Sequence, residues 1–408
     1  MPLDWTGQRL ELTVGPVAHG GHCVARHEGR VIFVRHTLPG EAVLAEVTED
    51  RGGAFCRADA VQIRQPAAER VEPACEYAHP GGCGGCDFQH VSGPGQRALK
   101  AAVIAEQLSR LAGVERRVEV RPLSAALLGW RRRIRFAVTP DGRLGLHRHR
   151  SSEIVALRHC PLGEAGVGDA QALAKDWSGW AEVELAVDDF GQLAGVGFPP
   201  QPPARGRARR PRSRPEPLFG PAMLDYEVLG HRFQAEPAGF WQSHPLAPAA
   251  FSEAVLLAAQ LQPGERVLEL YAGAGLFTAS LAAAVGASGR VVSLEGDRHA
   301  AAAAERNLGQ LDWAEVLHRP VTPATVAAAA TPDVVVLDPP RTGAGREVMA
   351  AILAQRPRTV VYVACDPAAL ARDVRVAVDA GWRLADVTGF DAYPMTHHVE
   401  CIAALHAQ

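Results

Sequence analysis

Over residues 1–62 apolar and polar positions alternate in short runs, RLELTV, HCVARHEGRVIFVRH, EAVLAEVTED and AFCRADAVQI. Gly, Pro and an Asp-Arg-Gly turn separate them. Alternation of period two is the mark of a half-buried strand. Five short strands in so little chain predict a small closed barrel of oligonucleotide-binding type, acting either as a nucleic-acid grip or only as a structural cap. Residues 66–100 carry no clear period and hold three cysteines, and a helical period follows at about 95–112. From about 115 to 235 the pattern is mostly that of strands (WRRRIRFAVTP, GRLGLHRH, EIVAL, FQAEPAGFWQ), so 63–235 reads as a central α+β domain. It is interrupted at 201–217 by QPPARGRARRPRSRPEP, which has six Arg and almost nothing apolar. Such a stretch is a flexible insertion, either a tethered basic arm or a solvated linker.

After about residue 245 the pattern changes. ERVLELYAG, GRVVSLEG, DVVVLDPP and TVVYVACD are short β-rich runs, with Ala-rich helical segments between them at βαβ spacing. That alternation predicts a doubly wound α/β domain with a mostly parallel sheet over 236–408. No internal repeat is evident.

Composition narrows the class. The chain has 408 residues, 47% of them hydrophobic and 21% charged, enough for two or three globular domains. No apolar run reaches transmembrane length, and the N-terminus lacks the basic-then-apolar layout of a signal peptide. A cytoplasmic protein is therefore expected, with its eight cysteines reduced. The net charge of −3 argues against a non-specific nucleic-acid coat, although Arg clusters locally.

The chemistry concentrates at three places. The loop Glu269-Leu-Tyr271-Ala-Gly273-Ala-Gly275 follows the first strand of the α/β domain, where Gly273 and Gly275 let backbone approach a ligand. Glu295 ends the second strand, positioned to bond ribose hydroxyls. Alone, these do not separate a nicotinamide cofactor from S-adenosylmethionine. Asp338-Pro339-Pro340-Arg341 at the end of the fourth strand favours the latter, as an acid-Pro-Pro turn suits methylation of a planar nucleobase. Cys365 closes the strand VVYVA just before a helix, where a helix N-terminus favours thiolate. Glu400 opens the last strand after Thr396-His397-His398, and either His is an alternative base. A thiolate added to uracil C6 makes C5 a carbanion equivalent that can accept a methyl group, and a base must then remove the C5 proton. Finally, Cys75, Cys83 and Cys86 in CEYAHPGGCGGCDFQH, with Cys160 in LRHCPLG, make a four-thiol set that zinc and an iron–sulfur cluster both fit. Cys23, Cys56 and Cys401 read as core residues.

DPPRTG, VACDPAALARD and the Pro-x-Thr-His-His-Val-Glu run resemble the RNA 5-methyluridine (uracil-C5) methyltransferase family, and the likeness spans essentially the whole chain. It implies a Rossmann-like methyltransferase domain at 236–408, a TRAM-type barrel at 1–62 and a central domain at 63–235. It implies Cys365 as nucleophile and Glu400 as proton acceptor. Gln242, Tyr271, Glu295 and Asp338 fall where the family binds S-adenosylmethionine. Leu276 stands where many members have Asn, Pro320 replaces a further polar position, and Ala272 replaces a common Cys, so none of these is carried over. The ribosomal-RNA members hold a [4Fe–4S] cluster on a cysteine set of this kind, which tilts the expected partner toward 23S rRNA over the tRNA T-loop. The expected assembly is a monomer without a membrane partner.

Two basic runs complete the expectation. Trp130-Arg-Arg-Arg-Ile-Arg-Phe136 and His147-Arg-His-Arg150 are read as a basic sheet edge for RNA, or else a solvated charged strand. Three rivals remain: an exocyclic-amine methyltransferase, an RNA-binding assembly factor without catalysis, and, more distantly, an NAD oxidoreductase.

Overall fold

The computed structural model describes residues 4–201, 214–309 and 311–407, so most of the 201–217 insertion lies outside the described residues. Strands β1 (Arg9–Thr13), β2 (Cys23–His27), β3 (Arg30–Arg35), β4 (Ala42–Asp50) and β5 (Phe55–Gln65) form one sheet in the order β1-β4-β5-β3-β2. Alternate residues such as Ile32, Val34, Val43, Ala45, Cys56 and Ala58 fill its interior, as the period-two pattern requires. Three register shifts between β4 and β5 supply the bends that curl the sheet. Past β1 the chain then closes onto β2: Gly15 N donates to Val24 O at 2.7 Å, and Val24 N to Pro16 O at 2.9 Å. The expected small barrel is present.

Helix α1 (Gly93–Gln107) starts at Ser92, whose hydroxyl accepts from Gly95 N at 3.2 Å. A π turn, Leu108–Ala112, continues it. Strand β6 (Glu119–Pro122) comes next, followed by the central strands β7 (Arg133–Val138), β8 (Leu144–His147), β9 (Ile154–Ala156), β10 (Glu182–Val187), β11 (Leu193–Phe198) and β12 (Glu216–Phe219). These last six form a sheet in the order β12-β11-β10-β7-β8-β9. β7 is therefore interior, and the basic edge expected from sequence is not there. The arginines of the 131–135 run are consumed locally. Arg132 bonds Glu164 (2.8 Å) and Asp189, Arg133 donates to the carbonyls of Pro237 (2.9 Å) and Gly239, and Arg135 pairs with Glu184 (2.6 Å). Trp130 is buried. Charged residues on an interior strand must find partners, and here they found them in the protein.

After the hairpin β13 (Leu224–Val228) and β14 (His231–Ala235) comes the largest sheet. It is built from β15 (Arg266–Leu270), β16 (Arg290–Glu295), β17 (Ala314–His318), β18 (Val334–Leu337), β19 (Thr359–Ala364), β20 (Trp382–Asp391) and β21 (Glu400–Ala407). Its order is β17-β16-β15-β18-β19-β21-β20-β6, with β15 to β19 parallel and β21 antiparallel between β19 and β20. Both faces are covered by helices. Val335, Leu337, Val360 and Tyr362 point into one core with α1, and Val334, Val336, Val361 and Val363 into the other. This is why the strands read as unbroken apolar runs.

The eighth strand is not local. β6 adds to β20 in parallel, more than two hundred residues away in sequence, and Ile104, Leu108, Val118 and Val120 share a core with the C-terminal helices. The tie is reinforced by Lys100 on α1, which bonds Asp391 Oδ1 at 2.6 Å and Tyr393 O at 3.0 Å with both charged side chains buried. Among the described residues no helix is long and apolar enough to cross a membrane.

Removing one partner of a buried pair strands the other charge. Lys100→Ala should therefore cost roughly 3–5 kcal/mol of stability, read as a drop in the urea midpoint.

Candidate active site

The strand order reverses between β15 and β18, the switch point beyond whose carboxyl strand ends open α/β sheets hold their ligands. The loop leaving β15 enters it with Tyr271 (φ 65°), Gly273 (φ 56°) and Gly275 (φ 87°) in left-handed conformations. A Cβ on Gly275 would sit 3.2 Å from Ala304, so the loop can lie close to the helix Arg298–Leu308 only with glycine. Glu295 clamps the turn: Oε2 accepts from Gly273 N at 2.8 Å and Oε1 from Asp297 N at 2.7 Å. Asp338 follows β18 and is pushed up to about 7, by burial and then by the charge of Glu269. The structure thus brings Tyr271, Gly273, Gly275, Glu295 and Asp338 to one edge of the sheet. Gln242 is buried in the segment after β14, beside Trp241, which stacks on Tyr226 at 4.6 Å.

Glu269 belongs to the same group, although the sequence reading gave it no role. It is buried at the end of β15, and burial drives it up to about 7 despite hydrogen bonds donated by Ser293 (2.6 Å) and Thr278. Its Oε1 has no partner. The available signal was an acid inside an otherwise apolar strand, Val-Leu-Glu-Leu. Glu269, Glu295 and Asp338 thus gather three carboxyl groups at the switch point, a setting that favours a cationic ligand.

The reactive pair comes from strand register. Ala364 on β19 pairs with Cys401 on β21, and the strands run antiparallel, so the adjoining Cys365 and Glu400 face each other at the mouth of the pair. A cavity opens over Cys365, walled on one side by Arg341 and His398 and on the other by His19 and Gly21 of the barrel and Lys100 of α1. The barrel docks tightly here. His19 Nε2 lies 3.1 Å from Asp366 Oδ2, and a Cβ on Gly21 would meet His397 Cβ at 2.8 Å.

Charge and burial govern both groups. Cys365 is pushed up to about 12, by burial first and then by Glu400 and Asp338, with Arg341 opposing. The helix Pro367–Asp379 does begin beside it, with Asp366 as N-cap, yet the expected thiolate bias is overridden. The resting side chain is a thiol. Glu400 is raised to about 8, by burial and then by Asp338, against a hydrogen bond from Tyr393 and the charge of Arg341. Of the two alternative bases, His397 bonds Asp87 at 2.6 Å and His398 is held neutral, down to about 3, by burial and neighbouring cations.

Cys75, Cys83, Cys86 and Cys160 line a second cavity together, with Tyr77, Leu157 and His159 around them. Gly85 N donates to Cys83 Sγ (3.3 Å) and Gln89 Nε2 to Cys86 Sγ (3.5 Å). Among the described residues, however, no group of three or more His, Cys, Asp or Glu is arranged to hold a metal ion. Cys23, Cys56 and Cys401 are buried in cores, as expected.

Comparison with known proteins follows the same division. Residues 5–61 match the TRAM domain, and 328–408 match the tRNA (Uracil-5-)-methyltransferase family. Residues 236–322, which carry the glycine loop, match protein-L-isoaspartate(D-aspartate) O-methyltransferase. An uncharacterized RNA methyltransferase of Streptomyces coelicolor is 42% identical over 99% of this chain and 94% of its own. The 23S rRNA (uracil(1939)-C(5))-methyltransferase RlmD of Pseudomonas putida is 33% identical over 98% of this chain and 94% of its own. In fold, the chain is similar to the tRNA (uracil-54, C5)-methyltransferase of Pyrococcus abyssi, solved with S-adenosyl-L-homocysteine, with a TM-score of 0.72 and 22% identity. That likeness covers 97% of this chain and 100% of the other.

Because the folded chain holds the Glu269 proton more tightly than an unfolded one, ionisation costs stability. Between the ordinary value of 4.5 and about 7, wild-type protein should lose stability relative to Glu269→Gln as pH rises, with a constant difference above that window. Paired urea titrations of the ligand-free proteins across the window check this.

Proposed function

The chain belongs to the S-adenosylmethionine-dependent RNA uracil-C5 methyltransferases, and on that premise we propose which residues carry the reaction and which RNA receives the methyl group. The observation that carries the assignment is the β19/β21 register, which sets Cys365 opposite Glu400, with Cys365 and Arg341 lining the cavity beside them. Cys365 sulfur adds to C6 of a flipped-out uracil, and electron density moves to C5 and O4. C5 then attacks the methyl carbon of the sulfonium, and S-adenosylhomocysteine leaves with the bonding pair. Glu400 accepts the C5 proton, the C5–C6 double bond re-forms, and Cys365 departs as thiolate. No net oxidation occurs. Cys365 must react as thiolate, and Arg341 is the neighbouring cation that favours that form. Gln242, Tyr271, Gly273, Gly275, Glu295 and Asp338 would bind the methyl donor.

The remaining assignments are part of the same reading. Residues 1–62 form the RNA-gripping barrel, 63–235 the central domain and 236–408 the catalytic domain. With the β7 arginines paired internally, the open barrel face is the better stacking surface. There Phe55 is exposed, Phe33 meets it edge-on at 5.6 Å, and Arg57 lies 5.0 Å over its ring. We assign 23S rRNA as substrate, in a monomeric cytoplasmic enzyme, supported by full-length similarity to a protein named for 23S rRNA. The Pyrococcus tRNA enzyme shares the fold at 22% identity, which carries less weight for substrate. Cys75, Cys83, Cys86 and Cys160, which line one cavity together, would hold a [4Fe–4S] cluster. When bound, such a cluster would cross-link the 75–86 loop to Cys160. The methyl transfer balances without it.

Cys365→Ala should abolish turnover, and Glu400→Gln should stall it as a covalent RNA–protein adduct visible on a denaturing gel. An adduct-free Glu400→Gln enzyme with normal product release would sink the base assignment. In a strain lacking the gene, mass spectrometry should show 5-methyluridine lost from 23S rRNA. Loss from tRNA instead would reassign the substrate. Anaerobically purified protein should be brown and contain iron and sulfide, with Cys160→Ser losing both; a colourless zinc protein would overturn the cluster.

A further inference from the structure

Glu400 Oε1 receives a hydrogen bond from the hydroxyl of Tyr393, seven residues earlier, at 3.2 Å. The position of that phenol is set from several directions. Its backbone carbonyl accepts from Lys100 Nζ (3.0 Å) and from Thr396 Oγ1 (2.9 Å). Its ring stands edge-on to Trp130 and to His398, each with centroids 6.0 Å away. The turn that follows is tied to α1 through Met395 N, which donates to Gln96 Oε1 at 2.7 Å. Helix, central region and C-terminal sheet therefore converge on this one residue. Desolvation, with Glu400 and Cys365 adding to it, holds the phenol far above its usual range, so it remains a donor.

A base that must remove one proton from one carbon needs a fixed oxygen and an affinity near working pH. Burial and Asp338 push Glu400 toward the protonated form, whereas Tyr393 and Arg341 act the other way. Of these two, Tyr393 makes the directional contact. We propose that Tyr393 is a positioning residue for the base, its hydroxyl anchoring Oε1 of Glu400 so that Oε2 is left to take the C5 proton. This rests on the reading of Glu400 as the base. The charged and titratable groups facing the pair are Asp338, Arg341, Cys365 and Cys401, with His398 against the phenol ring and Lys100 on its carbonyl. Among the described residues none of them hydrogen-bonds Oε1.

The test uses the full-length enzyme and RNA carrying tritium at uridine C5. Methyl incorporation and tritium release are followed separately in single turnovers across pH. Tyr393→Phe keeps the ring and removes the hydroxyl. We expect methyl incorporation close to wild type, tritium release slowed on the order of tenfold, and its pH midpoint moved upward, because a donor that favours carboxylate is gone. Placing a ring-fluorinated tyrosine at 393, a stronger donor of nearly the same shape, should move the midpoint downward. A packing role would not give opposite shifts. Wild-type release rates and midpoints in both variants would overturn the inference, as would equal slowing of both steps in both. Glu400→Gln is run in parallel. If it turns over normally the base reading itself fails, whereas a trapped adduct there with an unaffected Tyr393→Phe removes only the role of Tyr393.

Discussion

One antiparallel pairing organises the reactive end of this molecule. β21 runs opposite to β19 and lies between β19 and β20, so the start of β21 falls at the carboxyl edge where the parallel strands end. Without that inversion Glu400 would emerge at the far edge of the sheet. With it, Cys365, Glu400, Asp338 and Glu295 share a single rim, although each belongs to a different strand or strand end. Backbone hydrogen bonds fix the register, and the cores on both faces leave no room for a slip.

The same rim concentrates negative charge where water is scarce. Glu269, Asp338 and Glu400 are all raised well above ordinary carboxylates, and Cys365 is raised with them. Such a site is poor at holding its own charges and good at receiving a positive one. Arg341 is a cation at this rim, lowering both Cys365 and Glu400.

The catalytic cavity is also a composite. One wall comes from the barrel loop at His19–Gly21, another from α1 at Lys100, and the rest from the C-terminal sheet and its turns. The His19–Asp366 contact joins the barrel to the residue that follows Cys365, and Lys100 joins α1 to the turn that carries Tyr393. The cavity over Cys365 is thus bounded by segments more than three hundred residues apart in the chain.

Local pattern was enough for much of this. Alternation announced the barrel strands. Gly273 and Gly275 announced the loop, and Asp338-Pro339-Pro340-Arg341, Cys365 and Glu400 stood out because their chemistry is confined to a few adjacent residues. What stayed hidden depends on pairing across long distances. The arginines of Arg131–Arg135 looked like a free cationic edge, but Glu164, Glu184 and Asp189 sit thirty or more residues away and claim them. β6 looked like part of the central region, and only its pairing with β20 shows it completing the catalytic sheet. The depth of burial that inverts the expected thiolate at Cys365 is set by neighbours no sequence window contains. Sequence determined which reactive groups this chain has and which strand or helix each one ends. Tertiary structure decided which of them face one another and in which protonation state they rest, because burial and charge are properties of the assembled surroundings.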